Sequence, residues 1–454
     1  VTTDSIADDH ARKQNRYPFD RHAADYRENF LDISHEMQEK CPVAWSDTYN
    51  GHWVAASSSA VFELARCPYI SNDHDVKSQR RGYKGINIPT AERASGIRGG
   101  ILEMDEPEHK YYRSILNPYL SPAAVARWVP LIDKVIHACI DEKIESGQID
   151  FVDELANVVP AVLTLAMLGI PVERWTIYNE PVHAAVYTPP DSPDAPRVAE
   201  LHRQLGIDLI TNLFEIRANP RPGIINAVAN AHFEGDDPDD MELLGILSLV
   251  IGGGFDTTTA LTAHALEWLS ENPEERRRLS DDRDTLLDAA TEEFLRYFTP
   301  AAGDGRTISK DFEASDGTDF REGERLWLSW AMANRDPEVF DDPDTIHLDR
   351  TGNRHFSFGL GVHRCIGSNV ARTVFKRMVV AVLDRMPDYR CDPETAVHYD
   401  SIGVIQGMRH LPATFTPGPR THAGLADTLV EVQQMVDEQN LAEPLAVTRA
   451  KQKG

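Results

Sequence analysis

The chain has 454 residues, 41% of them apolar, with 72 acidic against 46 basic side chains and a formal charge of −26. That length can bury one large core or two ordinary ones, and the negative balance repels phosphate backbones, which argues against nucleic acid and anionic membrane as partners. Five cysteines at 41, 67, 139, 365 and 391, with no C-x-x-C pair, favour neither a disulfide framework nor a zinc site.

The chain starts VTTDSIADDHARK, without an apolar signal core. Its apolar runs, such as Val158–Met167 and Leu243–Ile251, fall short of the ~18 residues a membrane span needs. A cytoplasmic protein without a membrane span is expected. In chain order, a strand is predicted at His52–Ala56, followed by a polar, glycine-rich loop over residues 70 to 100. Apolar residues three and four apart then predict helices at Ala123–Ser146, Val152–Leu168, Arg197–Arg217, Met241–Leu269 and Asp284–Tyr297. A strand at Arg325–Trp330, a helix at Ile366–Arg385 and a short strand at Thr414–Phe415 follow. These elements describe a mainly α fold with a small β part, a single domain over residues 1–417. Residues 418–454 form a C-terminal extension, with an amphipathic helix candidate at Leu425–Leu441 that reads as a surface helix or frayed end.

Two stretches resist that bland reading. IGGGFDTTTA, residues 251–260, puts three glycines and three threonines into a helix at an intrinsic cost of roughly 4 kcal/mol against alanine. FSFGLGVHRCIGSNVAR places Phe358, Gly361, Cys365 and Gly367 in the spacing F-x-x-G-x-x-x-C-x-G. The glycines permit tight turns and close approach to a flat partner. Cys365 lies immediately before the predicted helix Ile366–Arg385, where the helix dipole stabilises a thiolate. One thiolate without nearby Cys or His ligands suits a haem iron better than zinc, because porphyrin supplies four donors.

From about Tyr17 to Phe415 the sequence resembles the cytochrome P450 family of haem-thiolate monooxygenases. The resemblance implies the cytochrome P450 fold, one haem domain and haem b (iron protoporphyrin IX) as cofactor. It makes Cys365 the metal ligand, Phe358 its packing neighbour and Gly367 part of the same motif. His109 and Arg113 in DEPEHKYYR, with Asp105 and Pro107 starting their helix, Arg306 in GRTISKD, and His363 match contacts to the haem propionates. Of five E-x-x-R occurrences, at Glu63/Arg66, Glu274/Arg277, Glu275/Arg278, Glu293/Arg296 and Glu322/Arg325, only Glu293/Arg296 sits where the family has it. There it would be a buried structural pair joined by Arg350.

The glycine run matches the family's distal helix, where small residues make room for dioxygen and a local break in the helical ladder can open a groove. Asp256 and Thr257 match the acid and alcohol that hold water and relay protons toward dioxygen. The substrate pocket is expected to draw on Leu249, Gly252, Gly253, Pro300, Ala301, Ala302 and Ile405, and to accept a terpenoid, fatty acid or steroid-like molecule. The tail is too short for a reductase domain, so a separate ferredoxin and ferredoxin reductase are expected to deliver electrons. Seven bases from Arg354 to Arg390 against Asp384 and Asp388 offer a basic docking face. The rivals are a peroxide-driven peroxygenase of the same fold and a non-catalytic haem-binding sensor.

Overall fold

The computed structural model describes residues 13–75, 83–89, 98–188, 192–235 and 239–446. It divides into two compact units. The first comprises Val1–Asp105, Ala263–Cys365 and Val397–Arg409. Its five-stranded sheet runs in the order Val43–Ser46, His52–Ala55, Arg325–Ser329, Gly303–Ile308, Ile70–Ser71. All pairings are antiparallel except His52–Ala55 with Arg325–Ser329. Trp45, Trp53, Phe320, Leu326, Leu328 and Trp330 fill one core cluster. Trp45 and Trp53 meet edge to face at 5.3 Å, a favoured aromatic geometry. Gly51 closes the hairpin at φ +88°, where an added Cβ would stand 2.2 Å from the Trp45 ring. The loop expected over 70–100 begins with strand Ile70–Ser71, and its residues 76–82 and 90–97 lie outside the described residues.

The E-x-x-R pairs separate by burial. Arg296 donates twice to Glu293, Nε to Oε2 and Nη2 to Oε1, at 2.8 Å each. Arg350 Nε and Asn353 Nδ2 donate to the same carboxylate at 2.9 and 3.0 Å. Both Glu293 and Arg296 side chains are fully buried. Burial alone would raise the Glu293 pKa, but the bonds from Arg296, His347 and Arg350 bring it below the usual carboxylate range. Glu274/Arg277 and Glu275/Arg278 are exposed ion pairs of small worth. Glu63 instead accepts from Ser315, and Arg325 donates to the carbonyls of Arg306 and Gly85.

The second unit comprises Glu106–Thr262, Ile366–Ala396 and His410–Gly454. Pro122–Lys143 starts with Ser121, whose hydroxyl accepts from the Ala124 N–H, and with proline in the first turn, both favourable there. Val158–Leu168 is buried along its whole length and ends on Gly169 in the left-handed conformation, a common helix stop. A single turn of π-helix at Val152–Ala156 precedes it, so the predicted Val152–Leu168 is two pieces. A three-stranded sheet pairs Pro412–Thr414 with Gln148–Asp150 and Arg390–Cys391. The tail helix, Leu425–Glu438, buries Leu429, Val432 and Val436, and Gln433 accepts from the Val172 N–H at 3.0 Å.

The helix Asp240–Glu271 runs from the second unit into the first. Its 18-residue window is apolar enough to cross a membrane by composition, contrary to the expectation that no segment would qualify. That window is 61% buried inside the protein, as in a core helix.

Candidate functional site

In the first unit, the segment before Cys365 is shaped by glycines with positive φ. Gly359 and Gly361 stand at φ +65° and +74°, a region that side chains with a Cβ rarely occupy. A single 3₁₀ turn, Gly361–His363, follows, and the Cys365 N–H then donates to the Phe358 carbonyl at 2.7 Å. This closed turn leaves the cysteine half-buried. The following helix spans Ser368–Arg385, so Cys365 is three residues ahead of it and not immediately before it as predicted. The turn residues Ile366 and Gly367 intervene, and Gly367 itself has an ordinary φ of −84°.

The other cysteines differ. Burial raises the pKa of Cys41 and Cys67, and raises that of Cys139 beyond any useful range. Cys391 sits in a sheet strand. A thiolate ligand needs an accessible sulfur, and Cys365 is half-buried in its loop, whereas Cys41 and Cys139 are buried.

Arg306, on strand Gly303–Ile308, is 4% exposed. It donates to the Gly305 carbonyl at 2.8 Å and lies 3.9 Å from Asp304. Burial lowers its pKa, opposed by the charges of Asp304 and Asp105, so an anion brought to it would be well received. Pro300–Ala302 and Ile405 are held together: Ala301 forms a β-bridge with Ile405, and the Gln406 N–H donates to the Pro300 carbonyl at 2.9 Å. Ala301 and Ile405 are partly exposed, whereas Pro300 is buried. Ala302 is 3% exposed and packs in the core cluster that includes Val54, Trp327 and Ile402.

In the second unit, the core helix passes through the glycine run as continuous α-helix. The local break that such a run can produce is not seen in residues 251–260. Side chains are simply missing: a Cβ at Gly252 or Gly253 would meet nothing within 4 Å, and Gly253 is exposed while Ile251 and Phe255 are buried. Gly254 differs, since a Cβ there would stand 2.8 Å from Thr164 Oγ1. One turn on, the Thr257 hydroxyl donates to the Gly253 carbonyl at 3.1 Å. Leu249 is partly exposed on the same helix, one turn before Gly253.

Asp256 is 1% exposed, and its Oδ1 lies 2.6 Å from Nδ1 of His183, itself buried on helix Trp175–Tyr187. Sequence reasoning missed His183. It stands 73 residues away in a segment without a motif, and only the packing of two helices reveals it. His109, 2% exposed, and Arg113 share a face of helix Glu108–Leu120. Asp105 does not cap that helix as predicted: its carboxylate accepts from the Ser71 hydroxyl and the Asn72 N–H.

The basic run is partly neutralised within the unit. Arg377 pairs with Asp133 and Arg385 with Asp141, both on Pro122–Lys143.

In donor chemistry the first unit fits a haem, with a half-buried cysteine in a glycine-shaped turn and a buried guanidinium; in the second, the core helix is stripped of side chains at Gly252 and Gly253.

The cytochrome P450 family profile matches residues 215–387. The steroid C26-monooxygenase of Mycolicibacterium smegmatis is 30% identical over 323 residues, covering 70% of this chain and 79% of that protein. The vitamin D3 dihydroxylase of Streptomyces griseolus is 28% identical, covering 81% and 89%. A Mycobacterium marinum cytochrome P450 in complex with pseudoionone superposes with a TM-score of 0.79 at 24% identity, covering 88% of this chain and 99% of that one. The chain belongs to the cytochrome P450 family, whose members are monooxygenases that bind haem through a cysteine thiolate.

Proposed function

We propose that this enzyme uses O2 and two electrons to hydroxylate a small-to-medium apolar molecule, with Cys365 as the axial thiolate. When bound, haem supplies the dioxygen activation and the transfer of one oxygen atom into a C–H bond. His109, Arg113, Arg306 and His363 would offset the charge of its two propionates, and Phe358 would pack beside the sulfur.

One observation carries the choice of O2 over peroxide as oxidant: the open helix face at Gly252 and Gly253 adjoins a hydroxyl and a buried carboxylate. The Thr257 hydroxyl spends its proton on the Gly253 carbonyl, which leaves its oxygen lone pairs to accept a bond from water. Asp256 shares a short hydrogen bond with His183, so the carboxylate has a partner with which to exchange a proton. A peroxygenase would need neither group.

The substrate reading rests on the open helix face, on partly exposed Leu249, Ala301 and Ile405, and on relatives named for steroid, vitamin D3 and methyl-branched lipid oxidation. Electrons would come from a separate ferredoxin and its reductase in the cytoplasm. Steering of an acidic partner would fall to the basic run from Arg354 to Arg390 as a whole.

The test is NADH consumption by a surrogate ferredoxin system with a panel of steroids, terpenoids and fatty acids. Substrate-dependent consumption matched by hydroxylated product supports the reading. Product formed only from added hydrogen peroxide contradicts it.

A further inference from the structure

A second cluster of ligating side chains lies in the first unit, at the end of the core helix. His264 and Glu267 are three apart and share a face. His398 reaches them from the short strand Val397–His398. His398 Nε2 stands 2.9 Å from Glu267 Oε1, and His264 Nδ1 stands 3.8 Å from Glu267 Oε2. One donor atom from each of the three lies within 4.8 Å of the others. Tetrahedral zinc with bonds of about 2.1 Å holds its donors roughly 3.4 Å apart, so small side-chain rotations would close the set.

The surroundings suit a cation. The His264 ring is stacked on Phe298 at 5.0 Å and 13°, which fixes its plane. Glu271 adds a second acid one turn on along the same helix.

We propose that His264, Glu267 and His398 bind one divalent transition-metal ion of the zinc class. Two imidazoles and one carboxylate are a known three-ligand zinc set, with the fourth position left open. Here a cavity of about 480 Å³, lined by both histidines together with Glu28, Tyr399 and Gln406, provides room for a water or an exogenous donor. The ion would tie the end of the core helix to the loop between His398 and Met408, which carries Ile405. A rival cluster, Asp150, Asp153 and His410, is more exposed, and Asp150 Oδ1 is already occupied by the N–H groups of Val152 and Leu411.

The experiment is Zn²⁺ titration of tag-free, chelator-treated holoprotein by calorimetry, alongside zinc-edge X-ray absorption, to which haem iron does not contribute. One equivalent is expected to bind, with two imidazoles in the zinc shell. His398→Ala and Glu267→Gln should each weaken binding at least about tenfold, with haem content unchanged, and His410→Ala should not weaken it. No saturable binding, binding that survives His398→Ala, or a zinc shell without imidazole would overturn the proposal. The X-ray spectrum of the unaltered protein decides the matter even if a variant fails to fold.

Discussion

Two regions spend glycine in opposite ways. Before Cys365, Gly359 and Gly361 adopt backbone angles that other residues avoid, and the turn they permit presents the sulfur. In the core helix, Gly252 and Gly253 have helical geometry that any residue could adopt, and what they contribute is empty space. Glycine in the first region enables a conformation, whereas in the second it removes atoms. Substitution should therefore separate the two by the sign of the stability change.

The largest effect is expected at Gly361. Alanine there must hold φ near +74° with its Cβ 3.0 Å from the Ala65 carbonyl, which should destabilise the protein by about 2 kcal/mol. Denaturant unfolding of the holoprotein measures it. Gly254→Ala comes next: a clash with Thr164 at 2.8 Å, costing roughly 1–3 kcal/mol as overpacking, is partly offset by about 0.9 kcal/mol of helix propensity. Adding Thr164→Ala should recover the clash term. Gly253→Ala reverses the sign, since its Cβ meets nothing. It should stabilise by up to about 0.9 kcal/mol while lowering hydroxylation, and a stabilised variant with full activity would deny that the space is used. Thr257→Ala should change stability least, by about 0.5 kcal/mol or less. Its effect is on coupling: more hydrogen peroxide and less product per NADH, read by a peroxide assay.

Much of this was legible in the sequence because it depends on local chemistry. The F-x-x-G-x-x-x-C-x-G spacing marked the turn, and helical periodicity located the core helix to within two residues at either end. Features that depend on packing between distant segments were not legible. His183 meets Asp256 across 73 residues, and His398 meets Glu267 across 131. The helix continues through the glycines because propensity is a weak local term and the flanking apolar residues Ile251, Phe255 and Leu261 are buried. Among the E-x-x-R pairs the spacing is uniform, and only Arg350, Asn353 and the surrounding burial distinguish Glu293 from its exposed counterparts.

The central claim is that the sulfur of Cys365 ligates the haem iron, and the ferrous–CO difference spectrum tests it most directly. The native protein should show the red-shifted band of thiolate ligation, and Cys365→Ser should lose it. A red-shifted band that persists in Cys365→Ser, or its absence from haem-replete native protein, would contradict the account.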